Sequence, residues 1–181
     1  MWRRLRWILL VLFVAIAGGA TALVVIENPK LDDARSSVDR RWIPLRVALV
    51  PRYEKLDTAV SAFDAAGGAD RAVSRSLHAE LKRWLDAVRH GDANTQVQRA
   101  NALEAQSRRL STNVFASERL RGVAPLSEAI AAFAAASPAT ELVTRYNAAV
   151  RQYEHEREGT LQRPVARVLG YDARPVFVLG T

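Results

Sequence analysis

Apolar residues are laid out along this chain in two ways. Over residues 7–26 they are continuous: twenty residues carry no charge and a single polar side chain, Thr21, with Trp7, Ile8, Leu9, Leu10, Phe13, Ile16, Leu23 and Ile26 among the large ones. From Val38 onward they recur at helical spacing and leave the positions between them polar. At about 1.5 Å rise per residue, a helix of the first kind covers roughly 30 Å, the hydrocarbon thickness of a bilayer. The first pattern therefore predicts a single transmembrane anchor over residues 1–27, with the lipid bilayer as its partner.

Arg3, Arg4 and Arg6 press against the start of the run, whereas Lys30 on its far side is surrounded by Glu27, Asp32 and Asp33. Bases are retained on the cytoplasmic side, which places the N-terminus there and the rest of the chain outside. Arg35, Arg40 and Arg41 pull in the opposite direction. The alternative to an anchor is a secreted domain cleaved after Ala22, because Ala20-Thr21-Ala22 has the small-x-small form of a signal-peptide site. Against it, Leu23, Val24, Val25 and Ile26 carry the run past the roughly 7–15 apolar residues of such a signal.

The periodic part predicts helices. Val38, Trp42, Leu45, Leu49, Tyr53, Leu56, Val60 and Phe63 advance by 4, 3, 4, 4, 3, 4 and 3, which is one continuous helical face. Pro44 and Pro51 interrupt it at about 3 kcal/mol each, less than the roughly 1.5–3 kcal/mol gained by burying each large side chain. One long helix over residues 32–66, kinked at the prolines, is the expectation, with a break at Pro44 as the alternative. Gly67-Gly68 marks a turn, and Asp70 is placed to cap a second helix bearing Val73, Leu77, Leu81, Trp84 or Leu85, and Val88, which ends at His90-Gly91. Asp92 caps a third with Val97, Ala100, Leu103, Ser107, Leu110 and Val114. After a break over residues 116–125, a last helix takes Leu126, Ile130 and Phe133, crosses Pro138, and continues with Leu142, Tyr146, Val150 and Tyr153 to the charge run before Gly159.

Four narrow, heptad-like stripes joined by short turns predict an all-α chain: a transmembrane helix followed by an antiparallel four-helix bundle with coiled-coil-like seams. The domains read as anchor 1–27, bundle 28–158 and tail 159–181. Pro164, Gly170 and Pro175 make the tail non-helical, and the apolar Val176-Phe177-Val178-Leu179 is expected to pack it back on the bundle.

Composition narrows the function. The net charge is +7; three of the 26 bases precede the apolar run, leaving 23 against 19 acids beyond it. Those bases alternate with acids, as in Asp39-Arg40-Arg41 and Glu154-His155-Glu156-Arg157-Glu158, and form no basic block interleaved with aromatics. That is a solvated helical surface, and no nucleic-acid partner is expected. The absence of Cys excludes disulfide and thiol chemistry.

Arg46-Val47-Ala48-Leu49-Val50-Pro51 resembles the Arg-x-x-Leu-Ile-Pro signature of the LemA family, which sits on the first long helix after an N-terminal membrane segment. Tyr146-Asn147, Val150 and Tyr153 are similar to that family's Arg-x-x-Tyr-Asn-x-x-Val-x-x-Tyr-Asn stretch, with the leading Arg displaced to Arg145. Pro164, Ala166, Gly170 and Phe177 fall at spacings like those of its tail. The likeness spans nearly the whole chain, as a divergent member. Ala48 and Arg52 replace the usual Asp and Asn, Glu154 replaces the second Asn, and Val123-Ala124-Pro125-Leu126 stands where a Tyr-Pro is usual. The resemblance implies a membrane-anchored helical bundle and little about activity; some members of the family take part in organising membrane compartments, which suits a scaffold.

No catalytic constellation is present. A di-metal bundle site needs Glu-x-x-His pairs, and the residues three before His78, His90 and His155 are Arg75, Ala87 and Gln152. There is no His-Glu-x-x-His, no Gly-x-Ser-x-Gly and no Gly-rich phosphate loop. No enzyme activity, metal or cofactor is expected. Arg46, Leu49, Pro51, Tyr146, Asn147, Val150, Arg151, Tyr153, Pro164 and Gly170 are the structural or interaction candidates, with Arg46, Asn147 and Arg151 read as a hydrogen-bond cluster between the first and last helices. The function expected is a scaffold or interaction module at a membrane surface, binding an unidentified protein or a second copy of itself. The alternative is a bundle that binds a small ligand or assists an enzyme through a cleft between helices.

Overall fold

The computed structural model describes the backbone of residues 2–68, 71–160 and 162–180, and the side chains of these residues from 29 onward. The chain is all-helical, with no strand among the described residues. Helix α1 (Trp2–Phe63) passes through Pro29, Pro44 and Pro51 without a break, so it begins far upstream of the expected residue 32. A proline inside a helix leaves the carbonyl four residues earlier without its donor. For Pro44 and Pro51 those carbonyls belong to Arg40 and Val47, and all four residues are exposed, so water can serve them. The predicted anchor falls in the stretch whose side chains lie outside the described residues. Among those described with side chains, no helix is long and apolar enough to cross a membrane.

A π-helical turn over Asp64–Gly68 ends α1. Helix α2 (Ala72–His90) starts from Arg71, which makes no side-chain cap bond, and Asp70, expected as the cap, lies outside the described residues. Helix α3 (Ala93–Phe115) is capped by the Asp92 carboxylate, which accepts from the Thr95 N–H at 2.8 Å. The expected break over residues 116–125 holds a short helix, α4 (Glu118–Arg121), and the start of α5 (Ala124–Ala135).

Two expectations for the C-terminal third are corrected. The last helix does not cross Pro138; it divides into α5 and α6 (Thr140–Glu158) around the buried Pro138. Proline has no N–H to offer and biases Ser137 toward extended backbone, and here both effects outweigh the apolar stripe running through them. The tail is not wholly non-helical either. Helix α7 (Gln162–Leu169) carries Pro164 in its first turn, where the missing N–H would be unpaired in any case.

Cross-helix contacts fix the directions. Asp64 meets Ser74 and His78 while Tyr53 meets Trp84, so α1 and α2 are antiparallel. Arg71 meets Asn113 and Ala87 meets Gln96, so α2 and α3 are antiparallel. Trp42 stacks on Tyr146 at 5.4 Å while Arg52 reaches Phe133, so the α5–α6 leg runs against α1. The eight-residue stripe of α1 is buried throughout and forms the spine of the core, to which α2 adds Trp84 rather than the exposed Leu85.

Candidate functional site

The densest polar group lies inside this core. Arg52 on α1 is 1 % exposed and Glu104 on α3 is fully buried. Their two-point pair joins Arg52 Nε to Glu104 Oε1 at 2.8 Å and Nη2 to Oε2 at 3.0 Å. Arg52 Nη1 donates to the Phe133 carbonyl at 3.0 Å and to Ser137 Oγ at 2.9 Å, both at the α5–α6 break. Its Nη2 reaches the Gly180 carbonyl at 3.3 Å, and the Gly180 N–H donates to Glu104 Oε2 at 2.8 Å. The guanidinium also lies 3.9 Å from the centre of the Phe133 ring. A buried pair is tolerated only when its remaining donors and acceptors are matched, and every nitrogen of this guanidinium has a partner. Burial first, and then the Glu104 charge, push the neighbouring Tyr53 phenol well above its usual range.

The second assembly holds the segment after α7. Residues 171–180 run extended in the groove between α3 and α6, with α1 as its floor. Asn147 on α6 donates to the Phe177 carbonyl and accepts the Phe177 N–H, both at 2.8 Å. Asn101 on α3 donates to the Val176 carbonyl at 2.8 Å and accepts the Val178 N–H at 2.9 Å. Each carboxamide thus does what a neighbouring strand would do, pairing with donor and acceptor together. Tyr153 and Tyr146 donate to the Asp172 and Pro175 carbonyls at 2.9 and 2.8 Å, and Asn94 to the Ala173 carbonyl at 3.2 Å. Glu154 accepts the Arg174 N–H at 2.6 Å.

Four side chains of the segment also point inward. Phe177 is buried in the core and Leu179 packs half-buried against it. Arg174 pairs with Asp39 at 3.2 Å, and Tyr171 donates to Asp32 Oδ1 at 2.6 Å. Burial and that bond push the Tyr171 phenol up to about 12, and burial raises Tyr146 and Tyr153 as well.

The candidates named from the sequence divide accordingly. Tyr146, Asn147 and Tyr153 meet at the groove, with Val150 buried beneath and Leu49 in the α1 spine. The expected cluster of Arg46, Asn147 and Arg151 does not form: Asn147 serves the tail, Arg46 is half-buried outside both assemblies, and Arg151 faces solvent. Pro51, Pro164 and Gly170 are exposed. Sequence reasoning missed Arg52, Glu104, Asn101 and Arg174.

Two further features bear on chemistry. Past Gly180 the groove opens between α3 and α5 into a cavity of about 750 Å³, lined by Ser107, Ser111, Phe115, Ile130 and Phe133. Among the described residues no three His, Asp or Glu side chains are grouped to hold a metal ion, and His78 pairs with Asp64 at 2.8 Å. Compared with known proteins, the chain matches no family model, no curated protein and no solved structure.

Proposed function

We propose that this chain is a non-enzymatic, membrane-anchored helical bundle of LemA-like type, acting as a scaffold or interaction module at a membrane surface. The observation that carries this reading is the continuity of α1. The helix that forms the spine of the core extends upstream as far as Trp2, through the uncharged run over residues 7–26. An apolar run of that length is stable as a helix in hydrocarbon, where each backbone group must be paired internally. In this reading the bundle stands close to the bilayer, its N-terminus cytoplasmic and the bundle outside. The Arg46–Pro51 and Tyr146–Tyr153 motifs support the family assignment.

The test is membrane extraction with alkaline carbonate, followed by proteolysis of intact cells against spheroplasts. A chain that resists extraction, and is digested only once the outer layers are opened, is the expected result. A chain released by carbonate, or a mature N-terminus beginning after Ala22, overturns it. The open cavity between α3 and α5 favours a second reading, a bundle that takes an apolar small ligand there. Saturable binding of a polarity-sensitive dye, lost in Phe115→Asp, separates that reading from the first.

A further inference from the structure

The groove recognises the tail in an unusual manner. Ten main-chain groups of residues 172–180 are hydrogen-bonded by side chains of α1, α3 and α6. Side-chain recognition is added at three positions spaced by three: Tyr171 by Asp32, Arg174 by Asp39, and Phe177 by the core. This is a built receptor for an extended peptide of the pattern Tyr-x-x-Arg-x-x-Phe, and its occupant arrives by a short connection. Gly170 joins α7 to the segment with φ +71, is exposed, and has nothing within 4 Å of the place a Cβ would take. Its left-handed backbone closes α7, with the Tyr171 N–H bonded to the Ala166 carbonyl at 2.9 Å, so a change of chain direction at this joint breaks one hydrogen bond and meets no side chain at Gly170.

We propose that the groove also receives residues 171–180 of a second copy, so that two chains exchange C-terminal segments. Exchange of an identical element restores every contact of the closed form and needs new geometry only at the joint, a low-cost route to a dimer. Charge complementarity fits it, since the incoming Arg174 meets Asp39 and the incoming Tyr171 meets Asp32 on α1 of the receiving chain. A short tether gives the chain's own tail an effective concentration of about millimolar, so exchange needs a comparable crowding of copies. Confinement of both chains to one membrane supplies it; to that extent the proposal rests on the anchored reading above.

The chain has no native Cys, so an introduced pair is its only thiol chemistry. Full-length Asn101→Cys and full-length Val178→Cys are reconstituted together in liposomes and oxidised; the chain carrying both substitutions serves as the control for closure within one molecule. A covalent species of twice the chain mass that grows with protein-to-lipid ratio is the expected result. Closure within the double variant, with no mixed dimer at any ratio, overturns the proposal. A second measurement stands independently: subunit counting by single-molecule photobleaching of the full chain in liposomes, compared with a chain ended after Gly170. Dimer lost on truncation supports exchange; a monomer at every protein-to-lipid ratio, or an undiminished dimer after truncation, overturns it. Carbonate extraction fails or succeeds separately, so loss of the dimer and loss of the anchor are distinguishable.

Discussion

Arg52 and Glu104 stand 52 positions apart in sequence and face each other through two hydrogen bonds in the centre of the bundle, out of reach of solvent. Because both charges are desolvated, removal of one strands the other. Glu104→Ala is expected to cost about 3–5 kcal/mol, and the double change Arg52→Met with Glu104→Leu much less, since an apolar pair of similar volume often replaces a buried ion pair without loss. Urea unfolding followed by circular dichroism checks both; additive losses from the two sites would show that they do not act as a pair.

The two carboxamides that hold the tail make a second prediction. Asn147→Ala and Asn101→Ala each remove two hydrogen bonds to main chain. At about 1 kcal/mol per bond, each change raises the open population of the tail by roughly thirtyfold. Limited chymotrypsin cleavage after Phe177, buried in the closed form, reads that population. The helical signal of α1 to α3 should be unchanged.

Alkaline pH should release the same segment. Tyr171 donates its hydroxyl to a carboxylate, and Tyr146 and Tyr153 donate theirs to tail carbonyls. Each phenol is raised in the folded chain above its usual value of 10.0, to about 12 for Tyr171. A group raised on folding contributes stability that is complete below its unfolded pKa and lost as pH climbs to the folded one. Tail protection should therefore persist to about pH 10 and decline toward about pH 12. Tyr171→Phe should lower the plateau and remove its share of the decline, as seen by hydrogen exchange of residues 172–180.

The α3 cap responds to acid. The bond from the Thr95 N–H holds the Asp92 carboxyl below its usual value of 3.8. A group lowered on folding contributes above its unfolded pKa and loses that contribution as pH falls through the folded one. Asp92→Ala is expected to cost about 1 kcal/mol at neutral pH, whereas Asp92→Asn keeps a cap that does not titrate. Thermal melts at pH 7 and pH 3 distinguish them: the wild-type advantage over Ala should shrink at the lower pH, and that of Asn should not.

The spine of the fold was legible because its evidence is local. Eight apolar residues stepping by three and four leave little choice but a helix, and Asp92 announces a helix start in the positions beside it. Pro138 was misjudged because the apolar stripe on either side of it fits one helix as well as two. Arg52 was passed over because arginine normally lies outside and its partners are 52, 81 and 128 positions away. A signal did exist. Arg52 falls three after Leu49 and four before Leu56, and Glu104 four after Ala100 and three before Ser107. Opposite charges seated on two apolar stripes are expensive unless they meet. The roles of Asn101 and Asn147 had no such signal, since their partner is backbone, which is the same at every position.

That last point reaches beyond this molecule's mechanics to how its sequence can drift. The groove grips Asp172, Ala173, Val176 and Val178 by their main chain, and all four side chains face solvent. Substitutions there, proline aside at Val178 where the N–H is used, go unread by the groove. The groove constrains this segment at Tyr171, Arg174 and Phe177, at Leu179, which packs against the core, and at Gly180, where a Cβ would sit 2.5 Å from the Glu104 carbonyl oxygen. Relatives of this chain can thus keep the docked tail while sharing five of its last ten described residues.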